Sequence, residues 1–349
     1  GACHYCGPCD RGCSVGAYFC SLSSTLPAAR ATGRLTIRTH SIVHGVMLDE
    51  ERDVASGVRV IDAETHEHLE FRSRIVFLCA SALASTQILM MSRSPRFPGG
   101  LGSSSDALGR YLMDHHFKVG ATGTVPGLED RYYWGNRPNG IYVMRYRNLD
   151  DRTRHPDFLR GYGYQGAAYR LGWSRGIGES GIGADLKARL RRPGRWTMAL
   201  WGFGEMLPHR DNRITLDPYT TDAWGLPALR IHCTLGENEH AMRDDMMGAG
   251  AEMLEAAGCT DVSPYETSYR PGEGIHEMGT ARMGRDPRTS VLNANNQLHD
   301  VPNVFVTDGA CMTSAACQNP SLTYMALTAR AAAFAVEARR RGELPVGSG

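Results

Sequence analysis

An α/β fold in two parts is the class this sequence predicts, and three observations carry it. The uncharged run IVFLCASALASTQILMMS over 75–92 reads as a buried strand followed at once by a helix, the unit of a parallel sheet. Forty glycines and seventeen prolines in 349 residues mark a loop-rich enzyme rather than a helical bundle. The stretch 117–272, rich in aromatics, arginine and glycine, carries short strands of its own, as expected of a separate substrate domain built on a sheet. Since domains commonly run about 100 to 200 residues, the length allows two sub-domains.

Taken in order, SLSSTLPAARATG reads as a helix closed by Gly33. LTIRTHSIVHGVMLDEE, ASGVRVIDAETHEHLEFRSR and IVFLC then alternate with the period of strands, broken at Asp53 and around Glu64. They describe an antiparallel excursion that returns to a central strand. Ser81, Ser85, Thr86 and Gln87 interrupt the apolar run that follows, so it is a strand and a helix rather than a transmembrane segment. SPRFPGGLGSSSDALG is a surface loop by composition. In the middle part, WTMALWGFG and ALRIHCTL read as strands. Gly176, Gly178 and Gly181 spell G-x-G-x-x-G ahead of a helix, but YRLGWSR before them is not a buried strand, and the motif reads as a loop. Near residue 273 the chain changes to a glycine-dense loop, the strand NVFVTDG and a long helix from Pro320 onward. The predicted parts are 1–116, 117–272 and 273–349.

A formal net charge of +1 offers no field for nucleic acid or an anionic membrane. No secretion signal is visible, so export would be arranged by another chain. Four cysteines, Cys3, Cys6, Cys9 and Cys13, crowd the first thirteen residues. Disulfides are disfavoured for neighbours this close without a secretory context. Zinc is a rival, although its second thiolate pair normally lies farther away. The spacing C-x2-C-x2-C-x3-C equals that of bacterial ferredoxins, with Ser14 where proline is usual. The other six cysteines are scattered and read as core.

HEMGTARMG, NVFVTDG and QNPSLTYMALTARA, in that order, resemble the C-terminal signature of the glucose-methanol-choline (GMC) family of FAD-dependent oxidoreductases. TGRLTIRTHSIVHGV, RIVFLCASALASTQILMMS, LGRYLMDHH and GEMLPHRDNRITLDPYTTDAWGLP extend the resemblance over most of the chain. It implies a GMC-like FAD-binding domain of Rossmann type, incomplete here, plus an α+β substrate domain with an antiparallel sheet. The family begins with a strand, G-x-G-x-x-G and a helix, and nothing before Cys3 supplies them, so either the chain is a fragment of a longer polypeptide or the remainder is lost or supplied separately, and by itself it is expected to bind FAD poorly.

By the same resemblance His276 is the active-site base and Asn319 its partner on the substrate oxygen. A neutral imidazole suits the removal of a hydroxyl proton. Asn319 followed by Pro320 also reads as an N-cap with proline at the first helical position, with the helix amino end aimed at the flavin. Asp308 and Gly309 match a second flavin contact, Val43 is placed near the adenine, and Ser81 stands where the backbone approaches the cofactor, although CASA departs from the usual glycine-containing turn.

A branch of the family, bacterial FAD-dependent glucose dehydrogenases and sugar 3-dehydrogenases, carries a three-iron cluster on C-x5-C-x3-C. Cys3, Cys9 and Cys13 match that spacing and leave Cys6 as a spare or fourth ligand, so an iron–sulfur cluster is expected in the 3Fe-4S form, with 4Fe-4S as the alternative. The implied function is oxidation of a sugar or glycoside CH–OH group to the keto form. Electrons would leave through the cluster to a small subunit and a cytochrome c or quinone, in the periplasm by way of a partner subunit rather than in the cytoplasm. The alternatives are an oxygen-using sugar or alcohol oxidase without a cluster and a non-catalytic zinc-binding fragment. Trp134, Trp173, Trp196, Trp201, Trp224 and GYGYQGAAYR either stack on sugar rings or fill the core, and Gln165 and Glu205 are candidates for hydroxyl contacts.

Overall fold

The computed structural model describes residues 1–6, 9, 12–131, 140–172, 175–176, 178 and 181–345. They form two compact units: a first of 1–38, 117–203 and 241–268, and a second of 39–116, 204–240 and 269–349.

The second unit opens with an antiparallel meander of Ser41–Asp49, Val54–Asp62 and His68–Arg72. Its turns fall where the sequence breaks. Asp53 takes φ 54°, and the Asp62 carboxylate accepts the amides of Glu64 and Thr65 at 3.0 and 2.9 Å, a side-chain turn that ends the strand. The strand Val76–Leu78 leads into the helix Ala82–Met91, the same ALASTQILMM that the apolar run predicts. Val304–Val306 pairs with Val76–Leu78 in parallel, and Phe77 stacks on Phe305 with ring centres 4.6 Å apart. A parallel pair is covered on both faces, which is why both strands are wholly apolar. Val76, Leu78, Ile88, Leu89, Leu298, Val304 and Val306 share one buried core, each aliphatic side chain contributing roughly 1.5–3 kcal/mol when fully removed from water. The terminal helix Ser321–Arg340 packs Ala331, Ala335 and Ala338 in a cluster with Phe305. Arg213–Thr221 and Pro227–His232 add an antiparallel hairpin.

In the first unit the helix Thr25–Ala31 closes at Gly33, whose φ of 68° and hydrogen bond to the Arg30 carbonyl at 3.0 Å form the expected stop. The unit's sheet runs Thr260–Glu266, Val119–Thr124, Trp196–Glu205, Tyr162–Arg170, Ile141–Val143, with antiparallel pairing. The helix Glu237–Ala256 contributes Met242, Met246 and Leu254 to a core with Val119, Ala121, Tyr162, Tyr164 and Leu200. Gly202 permits this close packing: a Cβ there would stand 2.6 Å from the Met246 sulfur. Around the G-x-G-x-x-G run, the strand Tyr162–Arg170 lies in the antiparallel sheet and the helix Gly183–Arg191 buries no residue, so no βαβ unit holds the motif. Among the described residues no helix is long and apolar enough to cross a membrane.

Candidate active site

His276 lies in a loop that a single buried carboxylate organises. Asp114, only 1 % exposed, accepts the amides of His115 (2.7 Å) and His276 (3.1 Å) on Oδ1 and those of Gly272 and Gly274 (both 2.9 Å) on Oδ2. The Tyr269 hydroxyl, 3.1 Å from Oδ2, is shared with the His115 carbonyl at 2.7 Å. A polar group this deep has to be hydrogen-bonded, and here the loop's own backbone does it. Met113 and Met278 exchange amide-to-carbonyl bonds at 2.9 Å in both directions, which aligns 113–115 with 276–278. Gly279 completes the approach with φ 86°, where a Cβ would meet the Tyr111 carbonyl oxygen at 2.0 Å.

This alignment sets two imidazoles together. Nδ1 of His115 and Nδ1 of His276 are 3.0 Å apart, with the rings edge to face. His115 is fully buried, and burial, reinforced by His276, pushes its pKa down to about 4 against the support of the Ala315 carbonyl and Asp114. His276 is half-buried, and its pKa is also lowered by burial, with Asp114 opposing. Both rings are therefore neutral at pH 7. Neither Asp114 nor His115 was singled out from the sequence; their only signal is the Asp-His-His run that ends LGRYLMDHH. Next to the loop is a cavity of about 240 Å³, lined by Leu83, Leu112, Met113, Ile231, Cys233 and Glu277, among others. Burial raises the pKa of Glu277.

Three of the residues expected to hold FAD, Ser81, Asp308 and Gly309, follow the carboxyl ends of the two parallel strands, where ligands bind in open α/β sheets. Ser81 is exposed and takes φ 89°, ψ 162° directly before the Ala82–Met91 helix, a conformation that glycine adopts freely and serine does not. Its side chain makes no cap, and its backbone, with that of Ala80, hydrogen-bonds the Asp308 carboxylate. Asp308 is committed within the protein: its carboxylate accepts from Ser85 Oγ and, at 2.9 Å, from the Ala310 amide. Gly309 has a packing reason of its own, because a Cβ would lie 2.2 Å from the Glu277 carbonyl oxygen. The Gly279 amide donates to the Gly309 carbonyl at 3.0 Å, which ties Gly309 to the His276 loop. Val43 lies half-buried on the first meander strand, against the same core.

At the terminal helix the capping expectation is corrected. Pro320 itself occupies the N-cap and Ser321 begins the helix, so Asn319 stands one residue earlier, exposed. A proline ring fixes φ near the helical value, which lets it serve as the last residue before the helix as well as the first within it.

The structure does not show the expected metal cluster among its described residues. Among the described residues no three or more His, Cys, Asp or Glu side chains gather to hold a metal ion. Cys3 and Cys6 are exposed and Cys9 and Cys13 half-buried. The sulfurs of Cys3 and Cys13 accept neighbouring amides, from Tyr5 at 3.4 Å and Ala17 at 3.2 Å, and the Ala17 amide is the main cause of the lowered Cys13 pKa. Local backbone contacts hold the sulfurs of Cys3 and Cys13, and among the described residues the thiols are not gathered around a common point.

Of the aromatic candidates, Tyr162 and Tyr164 are fully buried core residues, with hydroxyls bonded to Asp245 and to the Met246 carbonyl at 2.5 and 2.7 Å. Trp196 donates to the Arg131 carbonyl at 3.2 Å and Trp224 to that of Ala63 at 3.4 Å. Trp201 is half-buried, as is Gln165, while Glu205 is buried; Trp134 and Trp173 lie outside the described residues. Of the scattered cysteines, Cys259, Cys311 and Cys317 are buried and Cys79 is exposed.

Three relatives place this arrangement. The 2-methyl-1,2-propanediol dehydrogenase of Mycolicibacterium austroafricanum is 32% identical over 87% of this chain and 55% of its own length. The fructose dehydrogenase large subunit of Gluconobacter japonicus is 24% identical over 92% of this chain and 57% of its own length. The C-glycoside 3-oxidase of Arthrobacter globiformis is 34% identical over 84% and 51%. The chain thus spans about half the length of the relatives it matches. Family models for GMC oxidoreductases match residues 1–117, with the N-terminal model, and 208–328, with the C-terminal one. Together with a carboxylate-pinned histidine beside the ends of a parallel strand pair, these matches identify the chain as a member of the GMC oxidoreductase family, whose enzymes bind FAD.

Proposed function

We propose that the protein oxidises the CH–OH group of a sugar, glycoside or related polyol to a carbonyl, with His276 as the base. The observation that carries this reading is the geometry of the His276 imidazole, fixed through its own amide by Asp114 and through Nδ1 by His115, in a half-buried setting that lowers its pKa. A neutral imidazole takes a hydroxyl proton, and a pinned one takes it from a fixed direction. Asn319, exposed at the start of the terminal helix, is the second polar group proposed for the substrate oxygen. Ser81, Asp308, Gly309 and Pro320 would hold FAD, with Val43 toward the adenine, and FAD when bound supplies the hydride acceptor. The names of the relatives support the substrate class, since a diol, fructose and C-glycosides all bear hydroxylated carbons.

The test is His276→Ala in protein supplied with FAD and assayed by dye reduction. Turnover is expected to fall roughly 10²- to 10⁴-fold with bound flavin unchanged; unaltered turnover removes His276 from the mechanism. Dehydrogenase chemistry with a small subunit and a cytochrome c or quinone acceptor is the finer form of the proposal, supported by two relatives named dehydrogenases, one of them a large subunit. An iron–sulfur relay on Cys3, Cys6, Cys9 and Cys13 has its support in their spacing alone. Iron and acid-labile sulfide measured on anaerobically purified protein decide it, and protein free of both rejects the relay.

A further inference from the structure

Resting on His276 as the base, we infer that His115 is a positioning residue: it fixes His276 in the tautomer that carries the proton on Nδ1 and leaves the Nε2 lone pair for the substrate. The argument is one of donors and acceptors. A neutral imidazole has one N–H and one lone pair. Nε2 of His115 faces the carbonyl of Ala315 at 3.5 Å, which can only accept, so the His115 proton belongs there and its Nδ1 is left as an acceptor. The atom 3.0 Å from that lone pair is Nδ1 of His276. A lone pair on both nitrogens would repel, so His276 Nδ1 carries the hydrogen and Nε2 is free.

Burial prevents the easy alternative. His115 is 0 % exposed and sheds a second proton readily, so it does not become a donor on both sides near neutral pH. Asp114 fixes the distance, because its Oδ1 holds the amides of both histidines. A free imidazole prefers the opposite tautomer, with Nε2 protonated, and in that form His276 would offer the substrate a proton instead of taking one. His115 thus does for this base what an outer hydrogen-bond partner does for a ligating or catalytic histidine, fixing tautomer and ring orientation.

Two measurements test the assignment. The first is ¹⁵N imidazole NMR of the intact protein near pH 7.5, which reads the tautomer without any turnover. His276 is expected to show a protonated Nδ1 and a bare Nε2; a protonated Nε2 overturns the inference. The second compares His115→Leu with His115→Asn in FAD-supplied protein. Leucine removes the acceptor, whereas the asparagine amide oxygen returns one close to the Nδ1 position. His115→Leu should lower kcat roughly 10- to 100-fold, with a smaller change in KM, and shift the acidic limb of the pH profile downward, because the His276 imidazolium loses its acceptor. His115→Asn should restore most of both. Asp114, Tyr269, Glu277, cross-strand Glu205, Cys233 and Tyr324 are the other ionisable groups around the pair, and they are common to all variants. An unchanged rate and limb in His115→Leu overturns the positioning role. Failure of the base itself reads differently, as turnover surviving in His276→Ala.

Discussion

Two aspartates, one in each unit, collect hydrogen bonds from opposite kinds of donor, Asp114 fully buried and Asp245 half-buried. Asp114 in the second unit is held by four backbone amides and a shared tyrosine hydroxyl. Asp245 in the first is held by side chains: both arms of Arg147 at 2.9 Å and the Tyr162 hydroxyl at 2.5 Å, with Tyr146 behind it at 3.0 Å. Side-chain donors join elements that are already rigid, so Asp245 ties the helix to the loop and strand beside it. Backbone donors belong to a segment without regular structure, so Asp114 gives a loop the definition of a secondary element and delivers His276 with it. The same chemistry serves cohesion in one place and aim in the other.

The largest effect expected from this contrast is on stability. Asp245→Ala leaves the Arg147 guanidinium without its bidentate acceptor. The loss should be at most about 3 kcal/mol, the low end for a broken buried pair, because the pair is only partly buried, with Arg147 32 % and Asp245 14 % exposed. Denaturant titration reads it, and kcat should not change. A comparable loss in kcat would merge the two roles that the structure separates.

Next comes a pH effect confined to the Asp114 side. His115 titrates near 4 in the folded protein and near 6.5 when free, so between those values the unfolded chain binds more protons. Its contribution is complete above about pH 6.5 and is lost as pH falls toward 4, by up to about 3 kcal/mol. Stability measured against pH should slope across that window, and His115→Asn should flatten the slope. An equal slope in both proteins assigns it to other groups.

How much of this could be read from the chain depends on which atoms do the work. The Ala82–Met91 helix and its strand were legible because an unbroken apolar run must be covered on all sides, and Gly33 and Asp53 were legible because their turns need special backbone angles. His276 was found only through a family motif. Asp114 was not found, because four of its partners are backbone amides, which every residue but proline has, and three of them lie 158 to 162 positions away. Tyr162 and Tyr164 allowed a sugar-stacking reading because composition does not distinguish a lined groove from a filled core; the structure buries them completely. The four early cysteines show the same limit from the other side, since a spacing that permits a shared ion does not require the sulfurs to converge.

The finest test of the contrast removes one hydroxyl from each aspartate. Tyr162→Phe and Tyr269→Phe are the same chemical change, each worth about 1 kcal/mol of hydrogen bonding, and the consequences should diverge. Tyr162 is buried against an acceptor that stays in place, and burial keeps its pKa raised so that it remains a donor. Its loss leaves the half-buried Asp245 short of a partner at the edge of a packed core, and the effect should appear in the melting temperature alone. Tyr269 bonds both the His115 carbonyl and Asp114, so its loss loosens the turn that carries His276 while four amides still satisfy the carboxylate. Stability should change little, and kcat should fall severalfold as the ring samples angles from which Nε2 cannot reach the hydroxyl. If both variants lose stability equally and neither loses rate, the amides alone aim the loop, and the tyrosine at 269 is only packing.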